Sequence, residues 1–128
     1  MAATSLNRRQ FARYRLEPMY SPIAIRLPDQ DQFCIDGHAY DISEGGCRFE
    51  ADRAMLPGTL FAMQIQIPAN SDEGPGRAIF VMAECVWIED EEDPAPVRMA
   101  ARFTGFPRAG DRERLLRQFS TGRYRLVA

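Results

Sequence analysis

Proline and glycine punctuate this chain at regular intervals, nine of each in 128 residues, and the stretches between them are short and β-rich. Such spacing predicts strands joined by turns. In LFAMQIQI, residues 60–67, Phe61, Met63, Ile65 and Ile67 fall on one face, and Pro57 and Gly58 supply the turn before it. RAIFVMAECVWI and VRMAARF, separated by the acidic loop EDEEDPAP, form a hairpin. Upstream, a first strand is expected near Ile23–Leu27. FCIDGHAYDI comes next, interrupted by a turn or bulge signal at Asp36 and Gly37, and then CRFE after the turn SEGG. Near the end Asp111 is placed to cap a helix with Leu115, Leu116 and Phe119 on its apolar stripe, Arg112, Arg114 and Arg117 outside, and Gly122 as its stop. About six evenly spaced strands with one terminal helix favour a small antiparallel β-barrel, because closure removes exposed strand edges.

A chain of this length encloses one hydrophobic core. Residues 1–18 are polar, arginine-rich and end at Pro18, so they are expected to form a flexible arm ahead of a folded body at 19–122, with 123–128 as a tail. No apolar run approaches the roughly 20 residues of a bilayer span. The opening MAATSLNRRQFARYRL lacks the apolar core of a secretory signal, which predicts a cytoplasmic protein. Cys34, Cys47 and Cys85 are far apart and odd in number, a pattern suited to small buried thiols and not to a disulfide framework or a metal site. His38 has no second ligand at metal spacing, and the run Glu89–Asp93 lacks the alternating ligands of a calcium loop.

The net charge of −2 conceals a segregation. Arg8 to Arg26 holds five arginines against Glu17, Arg102 to Arg125 holds seven against Asp111 and Glu113, and residues 27–101 hold four against fifteen acids. Both ends favour anions. All sixteen basic residues are arginine, whose guanidinium offers bidentate phosphate contacts and stacking that an ammonium cannot.

Two short segments stand apart from the β pattern: RRQFAR, with Arg9 and Arg13 four apart and Arg8 ahead of them, and DISEGG, with Asp41, Ser43, Gly45 and Gly46. Singly, each is an ordinary charge run or hairpin turn. In this order, with roughly 30 residues and one strand between them, they resemble the PilZ domain family, whose members bind cyclic di-GMP. ECVWI, the acidic loop, RMAARFTGF and the helix DRERLLRQF resemble the latter half of that domain, so the likeness covers nearly the whole chain. It implies a six-stranded antiparallel barrel with a C-terminal helix, in agreement with the pattern above.

The resemblance also implies a site. A guanine presents O6 and N7 acceptors and a face for guanidinium stacking, so Arg9 and Arg13 would swing from the arm onto ligand phosphate and base. Asp41 would accept from a guanine edge or orient an arginine, and Ser43 would donate to a phosphate oxygen. Gly45 and Gly46 would adopt positive φ and admit the ligand where a β-carbon would obstruct it. Arg8 resembles the residue of members that take up two intercalated ligand molecules, which implies a ligand dimer. Trp87 has two readings, a ligand contact or a plug of the barrel.

No nucleophile and base pair, metal set or glycine-rich phosphate loop supports an enzyme, and no cofactor is expected besides the ligand. The acidic middle argues against a nucleic-acid partner. A lone domain of this kind signals to an effector protein that the chain does not name. The competing expectation is a PilZ-like adaptor that binds protein without nucleotide.

Overall fold

The computed structural model describes residues 13–15, 21–67, 77–89, 96–120 and 125–126. The elements run β1 (Arg13–Arg15), β2 (Pro22–Arg26), β3 (Ile35–Ser43), β4 (Gly46–Ala51), β5 (Leu60–Ile67), β6 (Arg77–Ile88), β7 (Val97–Gly105), α1 (Asp111–Ser120) and β8 (Arg125–Leu126). The pairing order β2-β5-β6-β7-β4-β3 returns to β2, which closes six antiparallel strands into a barrel. β1 and β8 extend the sheet beyond β3.

Alternation along each strand fills the interior. Ile23 and Ile25, Phe49, Phe61, Met63 and Ile65, Ile79, Val81 and Cys85, and Met99 are all buried, and Leu115 of α1 joins the same core. Each Ile, Phe or Met so buried contributes about 1.5–3 kcal/mol. The Phe49 and Phe61 rings meet tilted, with centroids 6.2 Å apart. At the turn before β5, Gly58 has φ of 93° and its amide donates to the Cys85 carbonyl. Ile67 has no described side chain.

Three register shifts break the alternation, one of them between Met82 and Ala83 of β6, where Thr104 of β7 is the extra residue. In β3 the register passes from Ala39↔Phe49 to Asp41↔Arg48, so Tyr40 is the extra residue. In β6 it passes from Cys85↔Ala101 to Trp87↔Ala100, so Val86 is the extra residue. Each inserted residue flips the side chains after it to the other face. Ile42 turns into the core and Asp41 turns out beside Arg48, whereas unbroken alternation would do the reverse.

Several expectations need correction. β3 runs unbroken through Asp36 and Gly37; its irregularity lies at Tyr40. Glycine is needed at 37 for another reason: a β-carbon there would lie 2.1 Å from the Glu50 carbonyl oxygen of β4. Cys34 is exposed, so only Cys47 and Cys85 are buried thiols. Trp87 does not plug the barrel; the bulge leaves it 48% exposed.

Asp111 is the first residue of α1, not its cap, and is fully buried. The Phe80 amide of β6 donates to its Oδ2 at 2.8 Å, and Arg108 and Arg114 pair with it at 3.0 and 2.9 Å. Its carboxylate therefore pins the helix to the barrel wall. Arg114 turns back toward Asp111, away from solvent, because a buried carboxylate needs its charge compensated. Of the predicted stripe, Leu115 is buried, while Leu116 and Phe119 are half-buried.

Candidate functional site

The outer edge of β3 is shared. Its first half, Ile35 to His38, pairs with β2, and its last three residues pair with β1. In that second pairing Arg13 stands opposite Ser43, Tyr14 opposite Ile42 and Arg15 opposite Asp41. Part of the expected arm is thus a strand, and it brings the backbone of the first arginine segment against the Asp-Ser segment. β8 pairs in turn with β1, with Leu126 opposite Tyr14. Arg8 and Arg9 lie outside the described residues, as does most of the 1–18 arm and of the 123–128 tail.

The turn after β3 is anchored in three ways. The Ser43 hydroxyl accepts from the amides of Gly45 at 3.1 Å and Gly46 at 3.2 Å, and donates to the Gly46 carbonyl at 3.3 Å. This is a serine-capped turn. The Gly45 carbonyl accepts from the Phe103 amide of β7 at 2.8 Å. Glu44 forms an ion pair with Arg112 of α1.

The glycines act differently from expectation. Among the described residues positive φ occurs at Gly58 and Gly110, not at Gly45 or Gly46. A β-carbon at Gly46 would lie 2.2 Å from the Ala101 carbonyl oxygen, so glycine is required there by the close approach of β4 to β7. The obstruction would fall on a neighbouring strand before it fell on any ligand.

Asp41 is 6% exposed and its Oδ2 lies 4.0 Å from Nε of Arg48, whose side chain is half exposed. Across the sheet, Arg48 stands opposite Ala100, and Ala100 opposite Trp87. Asp41, Arg48, Ala100 and Trp87 therefore form one outward row, with the small Ala100 leaving a shelf between a guanidinium and an indole. Below it, burial raises the Cys47 thiol far above its ordinary range, with the Asp41 charge adding to the effect. Burial likewise raises the Tyr40 hydroxyl, opposed by Arg98, which stacks 5.6 Å from the ring centroid.

Arg48, Ala100 and the Glu44–Arg112 pair had no signal in the sequence, since their membership depends on register across strands. Among the described residues no group of His, Cys, Asp or Glu could hold a metal ion, and no helix is long and apolar enough to cross a membrane.

The PilZ domain profile matches residues 7–121. This chain belongs to the PilZ domain family. A PilZ domain with cyclic di-GMP, from YcgR of Escherichia coli, is similar in structure, with a TM-score of 0.61 and 21% identity over 88% of this chain and 90% of that one. The Bacillus subtilis inhibitor of motility, MotI/DgrA, is also similar, with a TM-score of 0.64 and 20% identity over 91% of this chain. This chain spans about half, 53%, of that protein's length. At these identities the likeness is one of fold. No curated protein matches the chain.

Proposed function

We propose that this PilZ domain is a receptor for cyclic di-GMP that passes a conformational signal to an effector protein. The observation that carries the proposal is the register of β1 on β3. It sets Arg13 opposite Ser43 and Arg15 opposite Asp41, so both halves of the family's motif share one sheet edge. Arg9 and Arg13 would clamp phosphate and guanine, with Arg8 stacking on a second, intercalated ligand molecule. Each charge-assisted bond would contribute about 1.5–3 kcal/mol.

Asp41 would engage a guanine edge. Gly45 and Gly46 would admit the ligand to the turn while their amides hold the Ser43 oxygen, and Ser43 would redirect its hydroxyl from the Gly46 carbonyl, its longest bond, to a phosphate oxygen. The shelf at Ala100 suits a base lying between Arg48 and Trp87. Signalling would arise from the sheet itself: a ligand that fixes the arm also fixes β8, which pairs with β1.

The second reading, an adaptor without nucleotide, draws on the Ser43 hydroxyl, which already serves its own turn. Titration with cyclic di-GMP decides between them, monitored by fluorescence of Trp87, the chain's one tryptophan. GTP and cyclic di-AMP serve as controls, beside an Arg9→Ala variant. Selective binding that the variant loses is expected; equal weak binding of all three nucleotides would overturn the proposal. A calorimetric stoichiometry of one ligand per chain would remove the dimer.

A further inference from the structure

On the β5–β6 wall, two strands around the barrel from β4, a recess of about 580 Å³ lies between the strands and the start of α1, lined by Gln64, Ala78, Phe80, Arg108, Ala109 and Arg114. Gln64 and Phe80 face each other across the β5–β6 register and form its floor. Arg108 lies over the Phe80 ring, 4.6 Å from its centroid. Phe33 packs against Phe80 with the rings tilted and centroids 5.8 Å apart, and Arg26 lies 5.8 Å from the Phe33 centroid. Two adjacent phenylalanines are thus flanked by two arginines along this wall.

The two arginines of the recess are held in place. Arg108 binds Asp111 through Nε and Nη2 and donates to the Ala78 carbonyl, and Arg114 binds the same carboxylate through Nη1. Nη1 of Arg108 and the remaining nitrogens of Arg114 make no hydrogen bond among the described residues, so each guanidinium keeps donors to spare. Two guanidinium groups against one buried carboxylate leave a net positive charge, within the arginine-rich C-terminal part of the chain. Guanidiniums fixed in advance lose less entropy on meeting an anion than free ones do.

We propose that this recess docks an acidic segment of a partner polypeptide, which sets a carboxylate against Arg108 and Arg114 and an apolar side chain against Phe80. Charge complementarity selects the carboxylate. The ring beneath the guanidinium selects an apolar neighbour for it. The recess is open to solvent along one side, which suits side chains delivered by a chain lying across it; a small molecule would want a pocket that buries most of its surface. The surface is separate from the shelf at Asp41 and Trp87.

The test selects a displayed library of random dodecapeptides on the full chain in parallel with Gln64→Glu, which adds a negative charge to the floor without touching the Asp111 ion pairs. The expected result is enrichment of peptides that combine Asp or Glu with aliphatic or aromatic residues. Their affinity falls about tenfold in Gln64→Glu, while their amide shift changes map to Gln64, Ala78 and Phe80. A Gln64→Lys variant should bind them more tightly. Enrichment of basic or uncharged peptides, affinities equal in wild type and Gln64→Glu, or shift changes confined to the β3–β4 turn would each overturn the proposal. Saturation of the same amides by inorganic phosphate or GMP with higher affinity than any peptide would overturn it as well, in favour of a small-anion site.

Discussion

Asp41 and Asp111 are both buried carboxylates beside arginine, yet they are built for different work. Asp111 is fully enclosed and closely bound by two arginines three residues away on either side and by a strand amide 31 residues distant. Asp41 stands at the edge where β1 joins β3, and its pair with the half-exposed Arg48 spans 4.0 Å. Short bonds to two local arginines and to one distant strand amide make a rigid latch between helix and barrel. A longer pair across strands leaves a side chain able to exchange an arginine for a ligand, since the attraction falls with distance and the half-exposed Arg48 guanidinium is screened by solvent. The first turn of α1 joins the two regions, because Arg112 reaches Glu44 of the site turn while Asp111 and Arg114 hold the far side.

The contrast can be broken most directly at Asp111. Asp111→Ala should lower unfolding free energy by about 3 kcal/mol, because it strips the Phe80 amide of its acceptor and leaves Arg108 and Arg114 to repel one another. Urea denaturation measures this, and a loss below about 1 kcal/mol would refute the latch. Gly46→Ala comes next. Its β-carbon meets the Ala101 carbonyl oxygen, so a loss of about 1–3 kcal/mol is expected whether or not ligand is present. If Gly46→Ala kept full stability and lost only nucleotide binding, the glycine would belong to the ligand after all.

Alkaline pH sharpens the comparison from another side. The Cys47 and Cys85 thiols and the Tyr40 hydroxyl all have raised values in the folded protein, chiefly through burial. Their contribution is complete below the unfolded thiol value of 9.0 and is lost as pH rises through the folded values. Above pH 9 the unfolded chain releases protons that the folded one keeps, so stability should fall by up to about 1.4 kcal/mol per pH unit for each such thiol. A flat profile from about pH 8 to 10 in urea titrations would contradict the burial. The smallest effect on stability is expected of Asp41→Asn, below about 1 kcal/mol. Its cyclic di-GMP affinity should nevertheless drop at least about tenfold by calorimetry. A change in stability as large as that of Asp111→Ala would make Asp41 a second latch.

Local chemistry alone carried much of this protein. Period-two alternation in LFAMQIQI and its neighbours, with turns at Pro57, Gly58 and SEGG, was enough to predict strands and a barrel, since a side chain's face in a strand is set by its parity. The order of the arginine pair and the Asp-Ser-Gly segment was likewise legible, because a motif is a run of residue types. The hidden features depended on partners distant along the chain. Nothing in DGHAYDIS or ECVWI marks Tyr40 or Val86 as an inserted residue; each is surplus only when counted against β4 or β7. Those two insertions turn Asp41 and Trp87 outward onto one row, and parity by itself would have buried both. Asp111 was legible as a helix start but not as a latch, for its Phe80 partner lies on another element. Register and long-range charge pairing minimise the energy of the whole packed molecule, and no window of sequence contains both sides of such a contact.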